Sequence, residues 1–235
     1  SAAAYDSLDQ PSNTRILGAA KISGKIGDNW SVGGLSALTN REQARYYNNG
    51  EIKEEQVEPF TSYNLIRTLK EMDDGRYGLG IMATLTQRYM DGIGLLGDKN
   101  TDHFSADLLS KQGIGVGMDG WAFLGENRDW AIGGWGGFSQ VSGSVDRMFD
   151  LQRNPSHYFQ RPDADHLELD TSLTTLSGHA GRIKLNKENG RVTFNAALGW
   201  VSPGFESNDL GLTFSTDVIN KHISAGYRWL DRGKY

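Results

Sequence analysis

The sequence predicts an all-β chain, an antiparallel up-and-down transmembrane β-barrel or a section of a larger one. Three observations lead there: long segments alternate apolar and polar residues, tight turns join them at one end, and long connections join them at the other. Side chains alternate across a strand, so a period of two gives each segment one apolar face and one small or polar face.

Four turns set the frame. Gly27-Asp28-Asn29 joins Arg15–Ile26 to Trp30–Arg41, and Asp73-Asp74-Gly75-Arg76 joins Phe60–Met72 to Tyr77–Met90. Glu126-Asn127-Arg128-Asp129 joins Gly113–Gly125 to Trp130–Ser142, and Lys187-Glu188-Asn189-Gly190 joins Thr171–Asn186 to Arg191–Ser202. Asn, Asp and Gly tolerate the dihedrals of short hairpin loops. Two further strands are expected near Leu210–Thr216 and over His222–Leu230, which brings the expected count to about ten.

Within these segments the alternation is regular. Ile16, Gly18, Ala20, Ile22 and Ile26 oppose Lys21, Ser23 and Lys25, and Tyr77, Leu79, Ile81, Ala83 and Leu85 oppose Gly78, Gly80, Thr84, Thr86 and Arg88. Val192, Phe194, Ala196, Leu198 and Trp200 share a face, with Thr193, Asn195, Ala197 and Gly199 behind them. Several segments exceed the roughly 5 to 6 residues usual for soluble strands, and about 9 to 11 tilted residues cross a bilayer. Trp30, Tyr77 and Trp130 follow tight turns, while Phe60, Tyr89, Phe138 and Trp200 lie toward the long connections. That spacing suits two aromatic girdles. Arg67 and His179 fall on the nominal lipid face, where a mid-membrane cation costs about 2 to 4 kcal/mol. A bulge at Ser177-Gly178 would turn His179 inward, and Arg67 would snorkel to the interface.

Composition removes other classes. With Gly at 30 residues, Pro at 5 and 10% aromatics, the chain is neither disordered nor collagen-like. A net charge of −5 without a basic patch argues against nucleic acid as a partner, and the lack of cysteine rules out disulfides and thiolate metal sites. Mean hydropathy is −0.51, and no apolar run approaches the roughly 18 residues of a transmembrane helix. A barrel keeps its average hydropathy low because half its residues face the lumen. No linker divides the chain, so one domain over 1–235 is expected. Ser1 and its neighbours lack the charged and apolar regions of a signal peptide, so the chain is expected to be processed or part of a longer protein.

Chemistry concentrates in the long connections. If a strand begins near Asp165, then His166, Glu168 and Asp170 project to the lumen, and with Asp163 and Asp165 they offer oxygen and imidazole ligands for a divalent cation or an acid–base pair. The loop Ser202–Gly211 adds Glu206 and Asp209 at the same end. The competing structural reading is a charged rim paired with Arg153, Arg161, Arg182 or Lys184. No cofactor is expected beyond such a cation. Asp146–Tyr158 is expected to hold a short helix, with Met148, Phe149 and Leu151 packed at the barrel mouth. Alternate glycines from Gly113 to Gly117 precede no helix, so they do not form a dinucleotide fingerprint; they make room for lumen side chains or a close backbone approach. No Gly-x-Ser-x-Gly elbow occurs, and Asn49-Gly50 in the connection Glu42–Pro59 signals only a turn.

Four stretches carry a resemblance: RILGAAKISGK from Arg15, VEPFTSY from Val57, YFQRPDADH from Tyr158 and SPGFESNDLG from Ser202. They resemble an uncharacterised family of large Gram-negative envelope proteins, in which a module similar to family-nine carbohydrate-binding domains precedes an outer-membrane barrel. The resemblance implies that this chain is a barrel section of a bacterial outer-membrane protein, embedded in lipid, that binds or passes a glycan or other envelope polymer. It transfers no catalytic residue. The alternatives are an outer-membrane enzyme with an acidic and histidine site at the mouth, and a structural barrel whose long loops anchor a partner protein.

Overall fold

Long strands with one apolar face have to pair edge to edge, and here they do so as a meander. The computed structural model describes residues 7–48, 50–90 and 109–229. Its main sheet contains β2 (Ile16–Ile26), β3 (Trp30–Thr39), β6 (Phe60–Met72), β7 (Tyr77–Tyr89), β8 (Gln112–Leu124), β9 (Trp130–Ser142), β10 (Thr175–Lys187), β11 (Val192–Val201) and β12 (Val218–Tyr227). These nine strands lie in the order β12-β11-β10-β9-β8-β7-β6-β3-β2, and every neighbouring pair is antiparallel. The predicted hairpins over β2–β3, β6–β7, β8–β9 and β10–β11 are all present, with ends shifted by a few residues at most. At the β6–β7 turn Asp73 and Asp74 take φ of 52° and 49°, followed by Gly75 at 75°, a conformation short polar side chains and glycine accept most readily.

Nine is an odd number, and that has a geometric consequence. The edge strands β2 and β12 run in the same direction, both from the long-connection end toward the tight-turn end. They therefore cannot pair with each other as antiparallel neighbours. Among the described residues the sheet is open at both edges.

Two expectations fail here for local reasons. Leu210–Thr216 alternates but forms no strand, because its polar groups are engaged elsewhere: Asn208 Oδ1 accepts from Thr213 N at 2.7 Å and Ser156 O accepts from Thr216 N at 2.9 Å. The connection Glu42–Pro59 is no simple loop. It holds β4 (Glu42–Asn48) and β5 (Glu51–Glu58), which pair with β1 (Ser7–Asp9) as a second, three-stranded sheet. Asn48 pairs with Glu51 at the end of that hairpin, and Gly50 takes φ of 85°, a conformation that glycine accepts without strain. Most of the long connection between Tyr89 and Gln112 lies outside the described residues.

Residues paired directly across antiparallel strands share a face, so the register assigns every side chain. One face carries Ile22, Trp30, Ile66, Tyr77, Ile81, Val116, Met118, Ile132, Phe138, Ile183, Leu198 and Ile223. It is bare: Ile22 is 74% exposed, Ile66 63% and Ile223 76%. Polar interruptions are local. Ser36 Oγ donates to Asn64 Oδ1 at 2.9 Å, and Lys221 sits on the edge strand opposite Leu198. Near the turns, the Lys70 and Lys187 ammonium groups lie 5.2 and 5.9 Å from the Trp30 and Trp130 rings. The other face is polar and small, with Lys21, Ser23, Thr84, Asp119, Ser139, Arg182 and Asn195 among glycines.

The register also corrects both exceptions. Arg67 pairs with Met82 and so lies on the polar face, where its Nη2 meets Asp119 at 2.8 Å; it does not snorkel. His179 stays on the apolar face opposite Phe138, because the β9–β10 register runs without a shift and no bulge turns it. Its Nδ1 accepts from Trp200 Nε1 at 3.2 Å.

Candidate functional site at the long-connection end

The helix and loops that follow β9 and β11 fold onto the polar face. The predicted short helix is α1 (Val145–Arg153). Ser144 caps it by accepting from Arg147 N at 3.1 Å, with Asp146 in the first turn and Arg153 in the last, both favourable for the helix dipole. Met148 and Leu151 bury against Val141 and Leu176, with Phe159 and Leu173 alongside. Gln152 is fully buried and clamps the following segment: its Nε2 donates to Asp170 O at 2.8 Å, and its Oε1 accepts from Asp170 N at 2.9 Å.

The 202–217 loop then crosses the glycines of the wall. A Cβ on Gly178 would collide with Phe205 N, so this glycine admits a close backbone approach, and one on Gly113 would collide with Asp209 Oδ2, so Gly113 makes room for a side chain as its alternate spacing indicates. Ser139 Oγ accepts from Glu206 N at 2.8 Å, and Arg88 Nη2 meets Asp209 Oδ1 at 2.6 Å. Gly178→Ala should lift this loop, because the obstacle is backbone; overpacking of this kind costs about 1 to 3 kcal/mol. Limited proteolysis checks it. Cleavage between Ser202 and Asp217 should appear in the variant at protease levels that spare the parent, and identical digestion patterns would refute the close approach.

At the centre of the loop stands a pair that local sequence patterns do not announce. His157 is 1% exposed. Its Nδ1 faces Pro203 O at 2.8 Å and its Nε2 faces Glu206 Oε2 at 3.0 Å. Both ring nitrogens therefore lie against oxygen acceptors. Burial pushes the Glu206 carboxyl up, but the hydrogen bonds from His157 and Asn208 N, with the charges of His157 and Arg147, outweigh it and hold the group below its ordinary value. The pair links α1's trailing segment to the 202–217 loop, across 49 residues of sequence.

The predicted acidic row does not form. Residues 161–174 contain no strand, since β10 starts at Thr175, so His166, Glu168 and Asp170 share no lumen-facing row. Asp163 lies 3.6 Å from Arg161 Nε, and His166 Nε2 lies 2.9 Å from Asp217 Oδ2, which Arg161 also contacts. Asp165 and Glu168 are exposed. Asp170 accepts from the Ser172 hydroxyl at 2.6 Å and amide at 2.8 Å, which lowers its carboxyl from the ordinary range. Glu206 and Asp209 are brought to the wall, each by a basic partner. Among the described residues no three His, Asp or Glu side chains converge to hold a metal ion. The rim of paired charge is the arrangement present, with Asp217, His157 and Arg88 as partners that short-range reading overlooked.

A family model described as a domain of unknown function, DUF5916, matches residues 2–73 and 140–235. The chain belongs to this family. The matched stretches include α1, the His157–Glu206 pair and the Arg161–Asp217 contact. No curated protein and no solved structure matches the chain.

Proposed function

We propose that this chain is an arc of the wall of a bacterial outer-membrane β-barrel, with its apolar face on lipid and its polar face on a lumen that binds or passes a glycan or similar envelope polymer. The supporting observation is which face is covered. In a soluble sheet the helix and loops would bury the apolar face; here they pack on the polar one and leave the large apolar side chains bare. Aromatic spacing agrees. From Tyr77 to Tyr89 is about 40 Å at ~3.3 Å per residue, or about 30 Å along an axis to which strands tilt by about 40°, against an apolar band about 25 Å tall.

Open edges cannot remain in hydrocarbon, where unpaired amides and carbonyls each cost several kcal/mol. Because β2 and β12 run the same way, antiparallel closure takes an odd number of further strands, giving the even total usual for bacterial barrels. Strands elsewhere in the same protein fill that gap, and the carbohydrate-binding-like module implied by the family resemblance delivers the glycan. The tight turns face the periplasm, and the loops with α1 narrow the outer mouth.

This chain carries no cysteine of its own, so any cysteine elsewhere in the full-length protein is first replaced by serine. Single cysteines at Ile183 and Leu198 in the full-length protein, in outer membranes, should react only with a lipid-soluble maleimide. Ser224→Cys on the opposite face should react with a water-soluble one. Equal labelling of both faces by the water-soluble reagent, or recovery of the protein without detergent, would overturn the reading.

A further inference from the structure

We infer that the cavity between the polar wall and the 202–217 loop is a binding site for a neutral saccharide. The inference rests on the barrel reading only for its route of access, through the lumen. The cavity measures about 400 Å³, within the range of about 300 to 1,000 Å³ typical of small-molecule sites. At its polar end Arg67 Nη2 contacts both Asp119 oxygens, at 2.8 and 2.9 Å. The pair meets over Gly80, where a Cβ would lie 2.8 Å from Asp119 Oδ1 and 3.1 Å from Arg67 Nη2. Trp135 is the register partner of Asp119, lines the same cavity and is 46% exposed.

Two further observations point to a ligand and to its class. Thr86 lines the cavity, is 1% exposed, and its Oγ1 has no hydrogen-bond partner; a buried hydroxyl left unpaired is costly unless something occupies the space beside it. Every carboxylate that lines the cavity already has a basic partner: Asp119 with Arg67, Asp209 with Arg88, Glu206 with His157. An ionic ligand would have to compete with a charge already in place. A neutral ligand with adjacent hydroxyls would not, since one hydroxyl donates to Asp119 while its neighbour accepts from the guanidinium. The remaining lining is chiefly apolar, and the C–H face of a pyranose is the part of such a molecule that stacks on an exposed indole. Phe205 and Leu212 line the loop side.

The experiment uses the full-length protein in detergent, with its folded state checked by heat-modifiable gel mobility on the same sample. Isothermal titration with maltotriose, cellotriose and chitotriose, beside a trimeric uronic acid and octanol, should give saturable binding of at least one neutral trisaccharide. Trp135→Ala and Asp119→Asn should each weaken it by tenfold or more, while Ser224→Ala leaves it unchanged. Asp119→Asn keeps size and shape, so it serves where Trp135→Ala fails to fold. A folded barrel that binds none of the neutral trisaccharides would overturn the site and spare the barrel. So would one that prefers the uronic acid or octanol, or one whose affinity survives Asp119→Asn. A detergent-free soluble protein that still binds would overturn the barrel and spare the site.

Discussion

Arginine in place of Ile81 is expected to remove about 2 to 4 kcal/mol of folding stability from the protein in lipid, the cost of a cation near the bilayer midplane. Ile81 sits near the middle of β7, paired with Thr68 on one side and Met118 on the other, on the face that no helix or loop among the described residues covers. It is 49% exposed. In water a half-exposed strand residue with no specific partner tolerates such a change within about 0.5 kcal/mol, since arginine lays its stem along the sheet and leaves its head in solvent. The two environments thus differ by several-fold in the same measurement. Ser224→Arg on the opposite face of the sheet is the control, and should fall within about 0.5 kcal/mol in either setting because a lumen substitution meets water. Urea unfolding in lipid vesicles, followed by tryptophan fluorescence, reads both. A small effect at Ile81 would refute the assignment of that face to lipid.

The features that were legible in the sequence are those whose causes are local. A hairpin such as β6–β7 is written in Asp73, Asp74 and Gly75, which accept positive φ, and in the period-two pattern on either side. The helix α1 announces itself through Met148, Phe149 and Leu151 within Asp146–Tyr158, while its Ser144 cap emerges only from the structure. What misled was β6, where Leu65 and Leu69 are apolar yet pair with residues on the polar face. Periodicity ranks the two faces of that strand wrongly, and Arg67 goes with them. Its partner Asp119 is 52 residues away, a separation at which no spacing rule operates. The acidic segment 163–170 failed for a related reason. Its alternation predicts a strand, but its backbone is committed to Gln152 and to its own turns. His157 drew no attention because a lone histidine in a loop is ordinary until a carboxylate arrives from another loop.

That carboxylate gives the second large effect. His157→Ala is expected to undock the 202–217 loop at a cost of about 3 kcal/mol, the lower end of what removing one partner of a buried pair costs. The lower end applies because Glu206 keeps the Asn208 amide at 2.7 Å and the field of Arg147. Acid should do the same work without mutation. Glu206 titrates below its ordinary value of 4.5 in the docked loop, so the stabilisation it supplies is complete above pH 4.5 and is lost as the pH falls through the depressed value. A loop held this way stays shut at neutral pH and loosens as the pH falls through the depressed Glu206 value. Nitroxide labels on Ser202→Cys and Ser224→Cys in the full-length protein report the loop against the wall. The distance distribution should broaden as pH drops below 4.5 in the parent, should be broad at all pH values in His157→Ala, and should lose its acid dependence over that window in Glu206→Gln, which has no carboxylate left to protonate. A parent distance that holds unchanged well below pH 4.5 would mean that the loop is fastened by Arg88–Asp209 and its packing on Gly178, with the buried histidine contributing little.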